Sequence, residues 1–156
     1  MLEIYTDGSC LRNPGPGGWA AVCNNLFTLK GGVEASTNNI MEMTAVVRAL
    51  EKCLELNELN VVIYTDSNYV KMGITTWIKN WKVNGWKNAA GKPVANKELW
   101  VEIDELVKKM NAVEWKWVKA HNGHPMNELV DTLARECATS ASDNHHQGHP
   151  LDRDKV

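Results

Sequence analysis

The 156-residue sequence contains no apolar run long enough to cross a membrane, and no basic segment followed by a hydrophobic stretch comes after Met1. We therefore expect a cytoplasmic protein with no membrane contact. The four cysteines are scattered and form no CxxC pair, which favours reduced thiols over a disulfide framework or a zinc site. The chain length suits one folded domain, and nothing in the sequence indicates an obligate protein partner or more than a monomer.

Acidic residues are missing from residues 67–97, where six lysines occur. Because the formal net charge is −2, the other residues together carry −8. The lysines of this basic segment are interleaved with Trp77, Trp81 and Trp86. Ammonium groups and indole rings without acids favour contact with phosphates and with sugars or bases of a nucleic acid. The alternative is a solvated basic helix whose tryptophans pack inward, and we expect at least one of the three in the core.

One short stretch of the chain occurs twice. Residues 4–9, Ile-Tyr-Thr-Asp-Gly-Ser, return as residues 63–68, Ile-Tyr-Thr-Asp-Ser-Asn. Each copy is an apolar, β-rich run that ends on an aspartate, where a strand gives way to a loop. As neighbouring strands, the copies would bring Asp7 and Asp66 to one sheet edge, where ligands of α/β proteins bind. Either aspartate alone could simply start a turn, but the repetition favours a shared site.

Hydrophobic periodicity predicts alternating strands and helices. The predicted strands cover residues 2–7, 19–23, 26–30, 61–66 and 113–117, and the predicted helices contain residues 43–54, 99–110 and 130–137. Proline and glycine at residues 13–18 predict an irregular loop. A helix between two strands implies a crossover and parallel pairing. Residues 139–156 lack periodicity, so we expect a folded domain over 1–138 followed by a mobile polar tail.

Two further acids lie beside the buried stripes of predicted helices. Glu42 falls in the first turn of its helix, and its spacing from Asn39 also suits a capping arrangement that would only close the helix start. Asp131 lies one position from the apolar stripe of the last helix, with Glu128 one turn earlier.

Several motifs occur in a fixed order along the chain. They are Asp7-Gly8-Ser9-Cys10, Asn13-Pro14-Gly15-Pro16-Gly17-Gly18, Thr37-Asn38-Asn39 with Met41-Glu42, Thr65-Asp66-Ser67, the tryptophan-rich basic segment, Trp117-Val118-Lys119, His121 with Gly123-His124-Pro125, and Asn127-Glu128 with Asp131. From about residue 2 to residue 138 the chain resembles bacterial type 1 ribonuclease H. The resemblance implies an α/β fold with a five-stranded mixed sheet flanked by helices and a basic helix-loop protrusion. It also implies an endonuclease that hydrolyses the RNA strand of RNA/DNA hybrids and leaves 5′-phosphate and 3′-hydroxyl ends.

The same resemblance places the metal ligands of the family at Asp7, Glu42, Asp66 and Asp131. Carboxylates that share a cleft repel one another and are costly to keep ionised unless cations join them. Hard oxygen ligands select Mg²⁺, with Mn²⁺ as a substitute, over zinc. We expect two ions with substrate bound, about 3.5 to 4 Å apart, and Asp7 as the bridging ligand.

By resemblance, His121 assists proton transfer or product departure, since histidine exchanges protons near neutral pH and a glycine-containing loop lets it move. We assign His124 to structure. Small polar side chains suit a minor groove that displays 2′-hydroxyls. From the residues themselves we expect contacts to the hybrid at Asn13, Asn38, Asn39, Lys82 and Lys87. The resemblance implies further contacts, along the DNA strand, at Thr37, Asn68, Trp77, Trp81 and Asn96.

The sequence departs from the enterobacterial pattern at positions that are not expected metal ligands, so activity is expected. These residues are Arg12, Ile40, Asn68, Ala120, Asn122, Met126 and Leu129. Three other functions compete with this one, and the weakest of them, a purely structural domain, does not explain why four acids fall at element ends beside a lysine-rich segment. A DNA nuclease of the same fold would share the acidic triad, but the basic segment and the His121 loop favour a hybrid-specific enzyme. A module that binds hybrids without cutting would require a missing metal ligand, and all four acids are present.

Overall fold

The computed structural model describes residues 1–119 and 124–147. The strands are β1 (Leu2–Cys10), β2 (Gly15–Cys23), β3 (Phe27–Ser36), β4 (Asn60–Thr65) and β5 (Ala112–Trp117). The helices are α1 (Asn38–Glu55), α2 (Asn68–Met72), α3 (Ile78–Val83), α4 (Lys97–Lys108) and α5 (Pro125–Gln147), with a π-helical turn at Gly73–Trp77 between α2 and α3. In the part of the chain that the structure describes, no helix combines the length and apolarity needed to span a bilayer.

The strands form one sheet in the order β3-β2-β1-β4-β5. Strand β1 pairs antiparallel with β2 and parallel with β4, and β4 pairs parallel with β5. The predicted five-stranded mixed sheet and the parallel crossover through α1 are therefore confirmed.

The two copies of the repeated stretch lie side by side in register. Ile4 pairs with Ile63 and Tyr5 with Tyr64, and the two tyrosine rings stack with centroids 4.4 Å apart. Asp7 and Asp66 follow these tyrosines by two residues in each copy, so this register places both aspartates at the same edge of the sheet. Asp7 is not at a strand end, however, because β1 continues to Cys10 and pairs with β2 from Ile4 to Cys10.

The irregular loop predicted for residues 13–18 is wrong for its glycine-rich half, since β2 begins at Gly15. A Cβ atom at Gly18 would collide with the Ala134 carbonyl oxygen, and one at Gly17 would lie 2.8 Å from Met41 Cγ. These glycines therefore let helices pack directly on the strand, a demand of tertiary contact that local turn preference does not reveal.

Two apolar layers cover the sheet. One packs α1 and α4 against the face that carries Ile4 and Ile63, with Trp100 fully buried. The other packs α5 against Tyr5, Ala20 and Val22. Helix α5 runs on past the boundary predicted at residue 138, and Ala141 is still buried. Residues 139–147 are thus helical, residues 148–156 lie outside the described part, and the division into domain and tail stays a prediction.

The basic segment contains α2, the π-helical turn and α3, followed by irregular chain up to α4. Its six lysines are all exposed. Trp77, Trp81 and Trp86 are half-buried and pack against the core cluster. The alternative in which the tryptophans pack inward is therefore correct in part for all three. Each indole contacts the core, and part of each stays exposed to solvent.

Candidate active site

Three carboxylates from separate elements meet at the edge of the sheet. Asp7 lies in β1, Glu42 in α1, and Asp66 directly after β4. Each offers an oxygen, and these oxygens lie within 4.8 Å of one another. Asp7 is 3% and Glu42 is 8% exposed, so most of this carboxylate cluster is withdrawn from water.

Glu42 is directed into the cluster by contact with β1. The helix start is capped by Thr37, whose hydroxyl accepts a hydrogen bond from the Ile40 N–H at 3.1 Å, and the first turn contains no acid. Glu42 Oε1 instead accepts from the Gly8 N–H at 3.0 Å. The predicted first-turn position and the capping alternative for Glu42 are therefore both wrong, and its partner is on the sheet.

Burial and mutual repulsion disfavour the ionised carboxylates. Burial raises the pKa of Asp7 to about 7; interaction with the Glu42 side chain opposes that rise, and the charge of Asp66 adds to it. Burial, reinforced by the charge of Asp7, raises the pKa of Glu42 well above its ordinary value. The Gly8 N–H is shared, since it also donates to Asp7 Oδ1 at 2.9 Å.

One oxygen of this cluster is left without a partner. Glu42 Oε2 is buried and has no hydrogen bond to any described residue. A buried, unpaired carboxylate oxygen is costly, and a divalent cation offers the charge and coordination that it lacks. The all-oxygen donor set fits Mg²⁺ or Mn²⁺.

Asp131 lies outside the group of oxygens that approach within 4.8 Å. Its Oδ2 lies 3.0 Å from Arg135 Nη2 one turn along α5. It is nevertheless close enough for its charge to raise the pKa of Asp7. The structure thus places the fourth predicted acid beside the cluster, engaged with an arginine.

Two histidines, His121 and His124, lie between β5 and α5, and the structure describes only His124. His121 lies in residues 120–123, outside the described part. The ring of His124 packs against Tyr5 with centroids 5.1 Å apart, which agrees with a structural assignment.

A groove of about 610 Å³ adjoins the basic segment. Its lining is formed by Asn39, Asn68, Tyr69, Trp77, Trp81 and Ala95. Four residues predicted to contact substrate therefore share one surface. Asn96 supports this groove, because its Nδ2 donates to the Tyr69 hydroxyl at 3.2 Å. Sequence reasoning missed Tyr69, whose only signal was its position directly after Asn68.

Two other predicted contact residues, Asn13 and Asn38, form hydrogen bonds that join the start of α1 to β1 and to the β1–β2 connection. Asn38 Oδ1 accepts from the Cys10 N–H at 2.9 Å, and Asn13 Oδ1 accepts from the Asn38 N–H at 3.2 Å. Thr37 caps the helix. These bonds fix the Asn13 and Asn38 side chains between α1 and β1, the elements that carry Glu42 and Asp7.

The two predicted lysines have different surroundings. Lys82 Nζ lies 3.4 Å from Asp104 Oδ1 on α4, whereas Lys87 is exposed in the irregular chain after α3. An ion pair that is partly exposed is weak, so Lys82 can exchange Asp104 for a phosphate at small cost.

Residues 1–139 match the RNase H family model. Similar proteins include the ribonuclease H of Brucella anthropi, 53% identical over 138 residues that cover 86% of this chain and 88% of the relative. The ribonuclease H of Ehrlichia ruminantium is 54% identical over 137 residues, covering 86% of this chain and 92% of the relative.

Solved structures agree with this match. The crystal structure of LC9-RNase H1, a type 1 RNase H with the type 2 active-site motif, has a TM-score of 0.76 at 32% identity. The similarity covers 90% of this chain and 72% of that one. With the mixed sheet and the carboxylate cluster already in view, these matches confirm the resemblance drawn from the motifs: the chain belongs to the ribonuclease H family, endoribonucleases that cleave the RNA strand of RNA/DNA hybrids.

Proposed function

We propose that Asp7, Glu42 and Asp66 hold two divalent ions, Mg²⁺ in the native enzyme and Mn²⁺ as a substitute, with the substrate bound. The observation that carries the proposal is the group of carboxylate oxygens within 4.8 Å of one another, together with the buried Glu42 Oε2, which has no hydrogen-bond partner among the described residues. When bound, the ions would supply an activated water and stabilise the charge on the leaving oxygen. Hydrolysis in that geometry leaves a 5′-phosphate and a 3′-hydroxyl.

The residues of the chain have separate roles in this proposal. Asp7 would be the ligand shared by the two ions, and the Gly8 N–H orients it together with Glu42 by donating to both carboxylates. Asp131 would be the fourth ligand and would then have to release Arg135, with which it forms an ion pair. His121 serves proton transfer or product departure. The cytoplasmic location and the monomeric state expected from the sequence remain predictions.

We further propose that the groove lined by Asn39, Asn68, Trp77 and Trp81 receives the DNA strand of the hybrid. Half-buried indoles present a flat apolar surface to sugars, and amide groups can donate to phosphate oxygens. Asn13 and Asn38, held by hydrogen bonds between α1 and β1, would face the RNA strand, where 2′-hydroxyls distinguish RNA from DNA.

The metal requirement is tested with a labelled hybrid. We expect cleavage of the RNA strand in Mg²⁺ or Mn²⁺, and none in Ca²⁺ or with excess chelator, because Ca²⁺ takes more oxygen ligands at longer distances than Mg²⁺ does, and the chelator removes the ions. Gel analysis of the products, with double-stranded RNA and branched DNA as comparison substrates, measures both the metal requirement and the substrate class. Equal cleavage with chelator present would contradict the metal mechanism.

Charge in the basic segment is tested by replacing Lys82 and Lys87 together with alanine. We expect weaker hybrid binding and a reduction of about 1 to 2 in the slope of log affinity against log salt, because each lysine that neutralises a phosphate releases counterions. Fluorescence anisotropy at several salt concentrations measures both quantities. The matched control replaces Lys30 and Lys109, which are exposed outside the segment. An unchanged slope in the first variant would remove these lysines from the binding surface.

A further inference from the structure

Asp66 is positioned differently from the other two members of the carboxylate cluster. Asp7 lies within β1 and pairs with Ala20 of β2, and Glu42 lies within the long helix α1. Strand β4, by contrast, ends at Thr65, so Asp66 is one residue beyond the last ladder position. Its peptide group must therefore be held by contacts other than the sheet.

A tryptophan side chain provides such a contact. Trp117, the last residue of β5, donates from its indole Nε1 to the Asp66 carbonyl oxygen at 3.2 Å. The next residue continues the attachment, because the Val118 N–H donates to the Thr65 carbonyl at 2.9 Å. On the other side of the corner, the Ser67 N–H donates to Thr65 Oγ1 at 3.1 Å.

The indole of Trp117 is 46% exposed, a high value for a side chain of this size next to a core. The neighbouring Trp115 of the same strand is half-buried and packs against the core cluster. Lys71 of α2 lies over the Trp117 ring, with its Nζ 5.2 Å from the ring centroid. This contact helps to fix the plane of the indole over the β4–α2 corner. Apolar burial alone thus does not account for Trp117, and its polar atom is directed at a candidate metal ligand.

We propose that Trp117 is a positioning residue that fixes the main chain of Asp66 and so sets the affinity of the cluster for divalent ions. The inference rests on the proposed function of that cluster. Metal–oxygen distances tolerate deviations of only about 0.2 Å, so freedom at the Asp66 peptide weakens coordination even when the carboxylate itself is intact.

The test uses the full chain without nucleic acid. Isothermal titration with MnCl₂ should show binding to Trp117→Phe weakened about three- to tenfold, the range of one net hydrogen bond. In cleavage assays the same variant should show a lower kcat at limiting Mn²⁺ and a KM for the hybrid within about twofold of the wild type. Trp115→Phe, the same change two residues earlier on the strand, is the matched control and should bind Mn²⁺ like the wild type.

A second variant separates the N–H from the ring. Replacement of Trp117 by β-(3-benzothienyl)alanine keeps the bicyclic shape and removes the donor, and it should reproduce the weaker Mn²⁺ binding. Wild-type affinity for Mn²⁺ in either variant would overturn the proposal. So would a raised KM with unchanged Mn²⁺ affinity, which would instead assign the exposed ring to hybrid contact.

Asp66→Asn distinguishes failure of this inference from failure of the proposed function. If Asp66→Asn binds Mn²⁺ as the wild type does, the cluster is not the metal site. If Asp66→Asn loses binding while both Trp117 variants retain it, the cluster stands and only the role of Trp117 is rejected.

Discussion

Asp7→Asn is expected to lower the rate of RNA cleavage in Mg²⁺ by about 10³-fold or more while leaving hybrid affinity nearly unchanged. Asp7 is a buried member of the carboxylate cluster, and loss of its charge removes the ligand proposed to be shared by both ions. Metal ions contribute several kcal/mol to such reactions, at about 1.4 kcal/mol for each factor of ten in rate. Affinity persists because the exposed lysines of the basic segment are untouched. Single-turnover cleavage and anisotropy in Ca²⁺ measure the two effects separately.

The same variant should be more stable than the wild type when metal is absent. Burial first of all raises the pKa of Asp7 from 3.8 to about 7 in the folded protein. The folded state therefore holds a proton that the unfolded chain releases between about pH 4 and pH 7, and stability from this group falls as pH rises through that range. Asparagine removes the loss, so thermal unfolding in chelator at pH 8 should show a higher midpoint for Asp7→Asn.

The control for both effects is Asp143→Asn, which changes an exposed aspartate on α5 outside the cluster. It should cleave, bind and unfold like the wild type. Wild-type turnover in Asp7→Asn would refute the metal mechanism, and a lower unfolding midpoint in chelator would refute the account of repulsion in the cluster.

Gly8→Ala should both destabilise the fold and disable the site. A Cβ atom at Gly8 would collide with the backbone of Met41 and Glu42 and would lie 2.7 Å from Met41 Cβ. Backbone atoms cannot move aside as a flexible side chain does, so α1 must shift away from β1. Overpacking of this kind costs about 1 to 3 kcal/mol. The shift also carries Glu42 away from Asp7, and a displacement near 1 Å can lower the rate about 100-fold.

Denaturant unfolding and single-turnover cleavage of Gly8→Ala test these two effects. Ser9→Ala, on the same strand, is the matched control and should change each by little. If Gly8→Ala retains full stability and full activity, close packing of α1 on β1 does not set the position of Glu42.

Most of the fold could be predicted from the sequence, because the repeated stretch and the hydrophobic periodicity agree with the tertiary structure. The repeated stretch predicted the neighbouring strands and the meeting of Asp7 and Asp66, and the apolar stripe of α1 predicted the crossover. The extension of β1 to Cys10 and the start of β2 at Gly15 were missed, because glycine and proline usually mark loops. Only contact with α5 shows that Gly18 serves packing in a strand.

The sequence predicted which acids belong to the candidate site. It did not predict the hydrogen bonds and ion pairs that position the side chains around them. The spacing of Glu42 suited either a local cap or a distant partner, and the contact with Gly8 depends on how α1 lies on β1. The pairing of Lys82 with Asp104 joins segments far apart in sequence, and no pattern within the basic segment signals it. Contacts between side chains far apart in sequence produce no periodic pattern from which they could be predicted.

The order of the strands gives the two aspartates unequal protection. Strand β1, which carries Asp7, is central in the sheet, while the Asp66 carbonyl is bonded to a residue of the edge strand β5. Edge strands open more readily than central ones in the native state, as slow hydrogen exchange of central amides shows for proteins in general. In the carboxylate cluster, Asp7 therefore keeps its position during local fluctuations of the sheet. Asp66 loses its hydrogen bond to Trp117 whenever the edge strand β5 opens.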